Sequence, residues 1–132
     1  MRPLVLIAED EPYIVESLTF LIERAGLDVS VAKDGVLALQ AIRNLRPAAV
    51  ILDIMLPEES GLEVLRHVKG NPDLRATPIL VLTARGQEND RRMALALGAD
   101  AFVTKPFSNR DVVEQTLALV GRSDRPAQGP PR

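Results

Sequence analysis

Short runs of aliphatic and β-branched residues alternate with longer amphipathic stretches along the chain. The runs predict five strands, over residues 4–8, 27–32, 48–53, 78–83 and 100–104. In the stretches that follow them apolar residues recur every three or four positions, which predicts five helices over residues 11–25, 34–45, 60–70, 87–97 and 108–121. Because strands and helices alternate strictly, we predict an α/β fold, a doubly wound parallel sheet covered by helices on both faces.

Start and stop signals bound most of the predicted helices. Asp34 and Ser60 are suited to N-cap positions, and Ser60 forms a capping box with Glu63. Gly26 and Gly98 are suited to end the first and fourth helices. The second strand run alternates apolar and polar residues whereas the others are more continuously apolar, so we expect the second strand near an edge of the sheet.

The composition limits the core to aliphatic side chains. The 132 residues are 46% hydrophobic but only 3% aromatic, and the aromatic residues are Tyr13, Phe20, Phe102 and Phe107. This length is that of one domain, which we assign to residues 1–121, and the polar, Pro/Gly-rich residues 122–132 predict a disordered tail. Because the chain has only four aromatic residues, nucleic-acid modules that stack bases on a platform of aromatic rings are disfavoured.

Charge is divided unequally along the chain. The net charge is −2, but residues 1–121 carry 13 basic and 17 acidic side chains, a net −4, while residues 122–132 are basic. A domain this acidic is a poor general binder of DNA or of anionic membranes, so we expect neither direct DNA binding nor membrane insertion. The apolar runs are too short for a membrane span or a signal peptide, so we expect a cytoplasmic protein.

The absence of cysteine removes several kinds of chemistry. Disulfides, thiolate catalysis and cysteine metal sites are excluded, and zinc is disfavoured because His67 is the single histidine. We interpret His67 as an exposed surface residue and Gly61 as a helix-start glycine without chemistry. Arg91 and Arg92 are interpreted either as a partner-docking patch or as ordinary solvated side chains.

Polar side chains follow four of the predicted strands at the point where each strand ends. Glu9 and Asp10 follow the first strand, Asp53 ends the third, Thr83 ends the fourth, and Lys105 follows the fifth. In open α/β sheets the carboxyl ends of the strands meet at one edge, where ligands bind. We therefore expect three carboxylates, a hydroxyl and an ammonium group to converge at this edge.

The three carboxylates predict a site for a divalent cation. Two carboxylates about 4 Å apart repel by about 4 kcal/mol at an effective dielectric near 20. A small hard cation such as Mg2+, held by carboxylate oxygens, a backbone carbonyl and waters, would relieve this repulsion, and Lys105 would neutralise the remaining charge. The alternative is that these are solvated residues at strand ends, with Asp10 capping the first helix ahead of Pro12.

Four segments, in this order, resemble the receiver domain of two-component response regulators. They are LIAEDEP, VILDIMLPEESGLEVL, PILVLTA and LGADAFVTKPF, and the resemblance covers residues 4–121. It is closest in kind to a single-domain receiver of the chemotaxis-regulator type. The resemblance implies a flavodoxin-like (βα)5 fold with strand order 2-1-3-4-5, which agrees with the alternation of elements described above.

The resemblance implies a role for each residue at the carboxyl edge. Asp53 matches the phospho-acceptor aspartate of the family. Glu9 and Asp10 match the acidic pair that holds Mg2+, together with Asp53 itself and the backbone carbonyl of Met55. Lys105 matches the lysine that pairs with the phosphoryl group.

Further positions match the part of the family that changes shape on phosphorylation. Thr83 matches the hydroxyl residue that moves to the phosphoryl group, and Phe102 matches the aromatic switch residue. Pro106 matches a proline whose preceding peptide bond can be cis. Met55 and Arg85 occupy variable positions flanking the acceptor, and both are bulky enough to slow the approach of water.

The implied function is that of a response regulator rather than an enzyme with a separate substrate. A sensor histidine kinase or a histidine phosphotransfer protein would donate a phosphoryl group to Asp53. The face formed by the fourth helix, the fifth strand and the fifth helix would then bind a downstream protein effector. No effector domain follows residue 121, so we expect a single-domain regulator. The alternatives are a phosphorelay shuttle and a receiver-like binding module that is not phosphorylated.

Departures from the family pattern bear on the oligomeric state and on two other functional classes. Ala101 and Gln115 replace the acidic and basic residues that help DNA-binding members to dimerise, so we expect a monomer or a weak phosphorylation-dependent dimer. Met55 cannot act as the general acid that an aspartyl phosphatase requires two residues after its nucleophile. The acidic segment AEDEP would repel the phosphate of a flavodoxin-type FMN cofactor.

Overall fold

Ten elements alternate along the chain in the computed structural model, which describes residues 2–84 and 88–123. The strands are β1 (Leu4–Ala8), β2 (Asp28–Ala32), β3 (Ala49–Asp53), β4 (Ile79–Ala84) and β5 (Ala101–Lys105). The helices are α1 (Pro12–Arg24), α2 (Gly35–Leu45), α3 (Gly61–Gly70), α4 (Glu88–Leu97) and α5 (Asn109–Ser123). The alternation predicted from the hydrophobic pattern is therefore confirmed, with bounds that differ by a few residues at most.

The five strands form one parallel sheet in the order β2-β1-β3-β4-β5. This order leaves β2 at an edge, as its alternating pattern predicted, and puts β3 in the centre, where all of its residues are buried. The pairing register aligns Asp53 with Leu82 and Thr83 with Thr104. The carboxyl ends of β1, β3, β4 and β5 are therefore consecutive neighbours along one edge of the sheet.

Helices cover both faces of the sheet with aliphatic side chains. α2, α3 and α4 pack on one face, where Leu6 and Val81 are fully buried. α1 and α5 pack on the other face, which buries Ile7. Tyr13 and Phe20 are 78% and 59% exposed, so half of the aromatic rings lie outside the core, as the composition indicated.

The predicted helix ends are present in the structure. The Asp34 carboxylate accepts a first-turn N–H of α2 at 2.8 Å, and the Ser60 hydroxyl accepts the N–H of Glu63 at 3.3 Å. Gly26 and Gly98 follow α1 and α4 with φ angles of 97° and 105°, a region that L side chains rarely adopt. These contacts fix where the loops at both edges of the sheet begin.

An ion-paired cluster lies at the amino edge of the sheet, beside the starts of β4 and β5. β2, β3, β4 and β5 each begin one residue later than predicted. The Asp100 carboxylate, just before β5, accepts the backbone N–H of Ile79, the first residue of β4, at 2.8 Å. The Lys69 ammonium donates to this carboxylate (2.9 Å) and to the carbonyls of Arg75 (3.0 Å) and Thr77 (2.8 Å). These five residues, named the Lys69 cluster, tie α3 to the starts of β4 and β5.

The last helix is longer than the sequence predicted. α5 extends to Ser123, two residues beyond the expected end of the domain, and the Arg122 guanidinium lies 3.6 Å from the Asp100 carboxylate. This contact attaches the final turn to the Lys69 cluster. The rest of the predicted tail lies outside the described residues. Within residues 2–84 and 88–123, none of the helices has the length and apolarity needed to cross a membrane.

Candidate functional site

Three acidic side chains meet at the carboxyl edge of the sheet. Glu9 and Asp10 directly follow β1, and Asp53 is the last residue of the adjacent strand β3. Each offers a carboxylate oxygen, and these oxygens lie within 4.8 Å of one another. Glu9 is 1% and Asp53 is 3% exposed, whereas Asp10 is exposed to solvent. The convergence predicted from the strand ends is therefore present.

Backbone contacts hold the Glu9 carboxylate inward. The Glu9 N–H donates to the Ala32 carbonyl at 3.1 Å, which extends the pairing of β1 with β2 past its last residue. The Glu9 Oε2 atom accepts the N–H of Glu11 at 3.0 Å. Glu11, not Asp10, stands at the N-cap position of α1. The structure therefore gives no support to the alternative in which Asp10 is a simple helix cap.

The ammonium group of Lys105 lies between the two buried carboxylates. Its Nζ atom is 3.3 Å from Asp53 Oδ2 and 3.5 Å from Glu9 Oε1. One positive charge thus faces two buried acids with Asp10 alongside, so acidic charge is in excess. Glu9 Oε1 is buried and accepts no hydrogen bond from the described residues.

The donor set fits a hard divalent cation. Three carboxylates supply the oxygen ligands that Mg2+ prefers. Glu9 Oε1, which has an ion-pair contact with Lys105 but no hydrogen bond from the described residues, and the excess of negative charge are the features that such an ion would satisfy. The geometry of the described residues is therefore compatible with the predicted Mg2+ site.

Burial raises the pKa of Glu9 from 4.5 to about 7, and the Asp53 charge adds to this effect. The N–H of Glu11 and the ammonium of Lys105 act in the opposite direction. Without a cation, the site therefore favours a protonated Glu9 at mildly acidic pH, because a second charged carboxylate beside Asp53 is costly in a desolvated position.

We expect Glu9 to make the metal-free protein less stable as the pH rises. The folded pKa of Glu9 lies above the unfolded value, so between pH 4.5 and about 7 the folded state retains a proton that the unfolded state releases. The free energy of unfolding should fall across this window by roughly 3 kcal/mol. Urea denaturation in EDTA at a series of pH values measures this slope.

Two variants isolate the contribution of Glu9 to this slope. Glu9→Gln should flatten the decline, because the amide does not titrate. Asp10→Asn, which changes an exposed acid in the same cluster, should retain it. A slope that is unchanged in Glu9→Gln would contradict the assignment of the titration to Glu9.

The start of α3 lies in close contact with the backbone of Asp53 and Ile54. The N–H of Gly61 donates to the carbonyl of Ile54 at 2.9 Å. A Cβ atom at residue 61 would stand 2.3 Å from the Asp53 carbonyl oxygen and 2.7 Å from Ile54 Cα. The sequence alone marks Gly61 only as a helix-start residue. Its lack of a side chain is in fact what allows the helix to begin against the last residue of β3.

The loop after β3 also contacts the Asp53 carboxylate. The N–H of Met55 donates to Asp53 Oδ1 at 3.0 Å, while the Met55 side chain is 61% exposed. One oxygen of Asp53 therefore accepts a hydrogen bond from the loop N–H, and the other accepts one from the Lys105 ammonium. That the Met55 carbonyl is a ligand of Mg2+ stays a prediction.

Thr83 lies near the carboxyl end of β4, whereas Phe102 is paired with Val81 further back in the sheet, and each has a partner of its own in this structure. Thr83 is 2% exposed, and its hydroxyl donates to the hydroxyl of Thr104 at 3.3 Å. The Arg91 guanidinium of α4 lies 4.2 Å from the centre of the Phe102 ring, within the range of a cation–π contact. Of the two interpretations of Arg91, neither anticipated this contact.

Two further site predictions concern Pro106 and Arg85. The peptide bond between Lys105 and Pro106 is cis, the conformation considered for it from the sequence. Arg85 lies outside the described residues.

A cavity of about 340 Å³ opens beside the acid pair, and it is lined by Glu9, Asp10, Pro12, Val15, Glu16 and Lys33. The cavity lies on the side of the cluster that faces α1.

Comparison with protein families and curated proteins gives a consistent result. A family model described as the response regulator receiver domain matches residues 5–117. The alkaline phosphatase synthesis transcriptional regulatory protein PhoP of Bacillus subtilis (strain 168) is 40% identical over 124 residues, which are 94% of this chain and 51% of that protein. The chain spans about half the length of the curated relatives it matches.

Solved structures show the same architecture. The signal receiver domain of a signal transduction histidine kinase from Syntrophus aciditrophicus superposes with a TM-score of 0.86 at 30% identity, over 98% of each chain. The receiver domain of a sensor histidine kinase from Pseudomonas aeruginosa PAO1 superposes with a TM-score of 0.79 at 25% identity, over 92% of this chain and 99% of that chain. The latter was solved with a magnesium ion coordinated in its active-site cleft.

Proposed function

Because this chain belongs to the response regulator receiver domain family, we propose that Asp53 accepts a phosphoryl group from a phosphohistidine. The donor is a sensor histidine kinase or a histidine phosphotransfer protein, acting in the cytoplasm. One observation carries the proposal: a buried aspartate lies at the end of the central strand, within reach of two acids and of the Lys105 ammonium. This arrangement disfavours the alternative of a binding module that is not phosphorylated.

Glu9, Asp10, Asp53 and the backbone carbonyl of Met55 would hold Mg2+ in this proposal. The convergence of the three carboxylates supports it, as does the Glu9 oxygen that has no hydrogen bond from the described residues. A magnesium ion in the cleft of the Pseudomonas receiver domain supports it by analogy. When bound, the ion supplies the positive charge that balances the carboxylates and the oxygens of the incoming phosphoryl group.

The transfer step depends on positioning and charge more than on covalent catalysis. An oxygen of Asp53 forms a bond to phosphorus while the phosphorus–nitrogen bond of the donor histidine breaks, and the electron pair stays on the imidazole nitrogen. The N–H of Met55 and the ammonium of Lys105 hold the two oxygens of Asp53 before the donor arrives. Lys105 then contacts a phosphoryl oxygen. The same site allows water to hydrolyse the acyl phosphate later.

The phosphorylated state would be read out through Thr83 and Phe102. The Thr83 hydroxyl would exchange its present partner, Thr104, for a phosphoryl oxygen, and Phe102 would rotate into the space that Thr83 leaves. Such a rotation changes the ring's contact with Arg91 and hence the surface formed by α4, β5 and α5. Moving the population from mostly inactive to mostly active requires a differential interaction of about 5 kcal/mol.

The surface formed by α4, β5 and α5 is the proposed binding site for a downstream protein effector. Ala101 and Gln115 support a monomer or a weak phosphorylation-dependent dimer. The net charge of −4 over residues 1–121 supports a receiver that does not itself contact DNA. A phosphorelay shuttle is the second candidate, because two of the similar solved structures are receiver domains of histidine kinases.

Intact-mass spectrometry of the chain incubated with a small acyl phosphate tests the proposal. With Mg2+ present we expect the mass to increase by one phosphoryl group, and we expect EDTA to abolish the increase. The added group should be released by hydroxylamine at neutral pH, as an acyl phosphate is and a phosphoserine is not. Lack of incorporation with Mg2+, or incorporation that EDTA leaves unchanged, would contradict the proposal.

A further inference from the structure

A second glycine, on a different element, holds the far part of the loop after Asp53. Gly35 is the first residue of α2 and is buried. Its N–H donates to the carbonyl of Pro57 at 3.1 Å, and the same carbonyl accepts the N–H of Glu59 at 2.9 Å. Residues 54–60, named the acceptor loop, are therefore fastened to the start of α2.

Gly35 leaves no room for a side chain at this contact. A Cβ atom there would stand 1.7 Å from the carbonyl oxygen of Glu59 and 2.6 Å from its carbonyl carbon. Real Cβ atoms essentially never come within 3.0 Å of another heavy atom, so the gap would have to widen by more than about 1 Å. The obstructing atoms are backbone, so no rotamer change relieves the overlap, and either the loop or α2 must move.

Glu59 is held from the opposite side as well. Its Oε2 atom lies 3.0 Å from Nδ1 of His67, which projects from α3. Glu59 is therefore contacted from both α2 and α3. The displacement would pass along the acceptor loop toward Met55, whose N–H contacts the Asp53 carboxylate at 3.0 Å.

We propose that Gly35 is a positioning residue of the phosphoryl-acceptor site, acting through the acceptor loop on the main chain of Met55. The inference rests on the proposed function, because it takes the Met55 carbonyl as a ligand of Mg2+ and Asp53 as the nucleophile. Displacement of reacting groups by about 1 Å can cost about a hundredfold in rate. Loss of a group that orients a metal ligand costs about 10-fold to 100-fold in affinity.

Magnesium titration of two alanine variants tests the inference. The chain has no tryptophan, so binding is followed through backbone amide shifts in NMR spectra. We expect Gly35→Ala to raise the dissociation constant for Mg2+ about tenfold and to shift the amides of Asp53 and Met55 before Mg2+ is added. Gly121→Ala is the matched control, because a Cβ there meets no atom within 4 Å. Its affinity should stay within about twofold of the parent.

The outcomes separate this inference from the function on which it rests. A folded Gly35→Ala variant with parental affinity and parental shifts at Asp53 and Met55 would overturn the inference and leave the proposed function standing. Failure of the parent chain to bind Mg2+ or to incorporate phosphate would overturn both. A merely structural role of Gly35 would lower stability without moving either readout in the folded protein.

A measurement on the unsubstituted chain decides the matter if Gly35→Ala does not fold. Coupling between two sites is reciprocal, so Mg2+ binding should order the acceptor loop and its contact with Gly35. We expect hydrogen exchange of the Gly35 N–H to slow about fivefold or more with Mg2+. The N–H of Leu37, which is bonded to Asp34 in the same helix start, should be unaffected. Equal exchange of the Gly35 amide with and without Mg2+ would overturn the inference.

Discussion

Asp53→Asn should abolish phosphoryl incorporation and, at the same time, make the metal-free protein more stable. The amide keeps the shape of the side chain and its acceptor for the Met55 N–H, but it is not a nucleophile. Removing the charge also relieves its repulsion with Glu9, which raises the pKa of Glu9 in the parent protein. At pH 8 in EDTA we expect a gain in unfolding free energy of about 1 kcal/mol or more.

Intact mass and urea denaturation, made on the same preparations, measure the two effects. Asp73→Asn is the control, because it removes an exposed carboxylate from a loop at the amino edge of the sheet. It should incorporate phosphate like the parent chain. Phosphate that persists in Asp53→Asn would place the acceptor elsewhere. Loss of incorporation together with loss of stability would indicate a damaged fold rather than a missing nucleophile.

Lys105→Met should slow phosphoryl transfer by about 10²-fold to 10³-fold without weakening Mg2+ binding. The ammonium is 3.3 Å from Asp53 Oδ2, where charge builds up on the phosphoryl oxygens during transfer. Methionine retains the length of the side chain and removes the charge. Because Lys105 competes with a cation for the same two carboxylates, its removal should leave the affinity for Mg2+ unchanged or increase it.

The rate of incorporation at saturating Mg2+ and the dissociation constant from an NMR titration test the two parts separately. Arg66→Met is the control, since Arg66 is a solvent-exposed cation on α3 that lies outside the cavity beside the acid pair. It should transfer at a nearly parental rate. A Lys105→Met variant that transfers at that rate would exclude a part for the ammonium in the reaction. Weaker Mg2+ binding would show instead that Lys105 organises the acids.

The sequence predicted most of the carboxyl edge because topology alone brings it together. Once the hydrophobic pattern indicates parallel strands, the residues that follow β1 and end β3 must meet at one edge. The pattern could not decide which of the first two acids points inward, since both lie just past the end of a strand. In the structure Glu9 is buried and Asp10 is exposed, because the Glu11 N–H draws the Glu9 carboxylate toward α1.

What the sequence could not predict depends on atoms far apart along the chain. A side chain at residue 35 would overlap the backbone carbonyl of Glu59, and no residue type indicates where a distant carbonyl will lie. The same is true of Arg91, whose partner Phe102 is on another element. The strand order itself came from the resemblance to a family, because the alternation of elements is compatible with more than one order.

The Lys69 cluster stands at the opposite edge from the chemistry, about 16 Å away along strands of five residues. There every proton of the ammonium has a partner, and three elements are joined by it. At the amino edge of the sheet the charges are thus fully hydrogen-bonded, whereas at the carboxyl edge three acids share one ammonium group. Substitutions among the acids and Lys105 can therefore alter the charge balance of the site while the Lys69 cluster continues to hold α3 to the starts of β4 and β5.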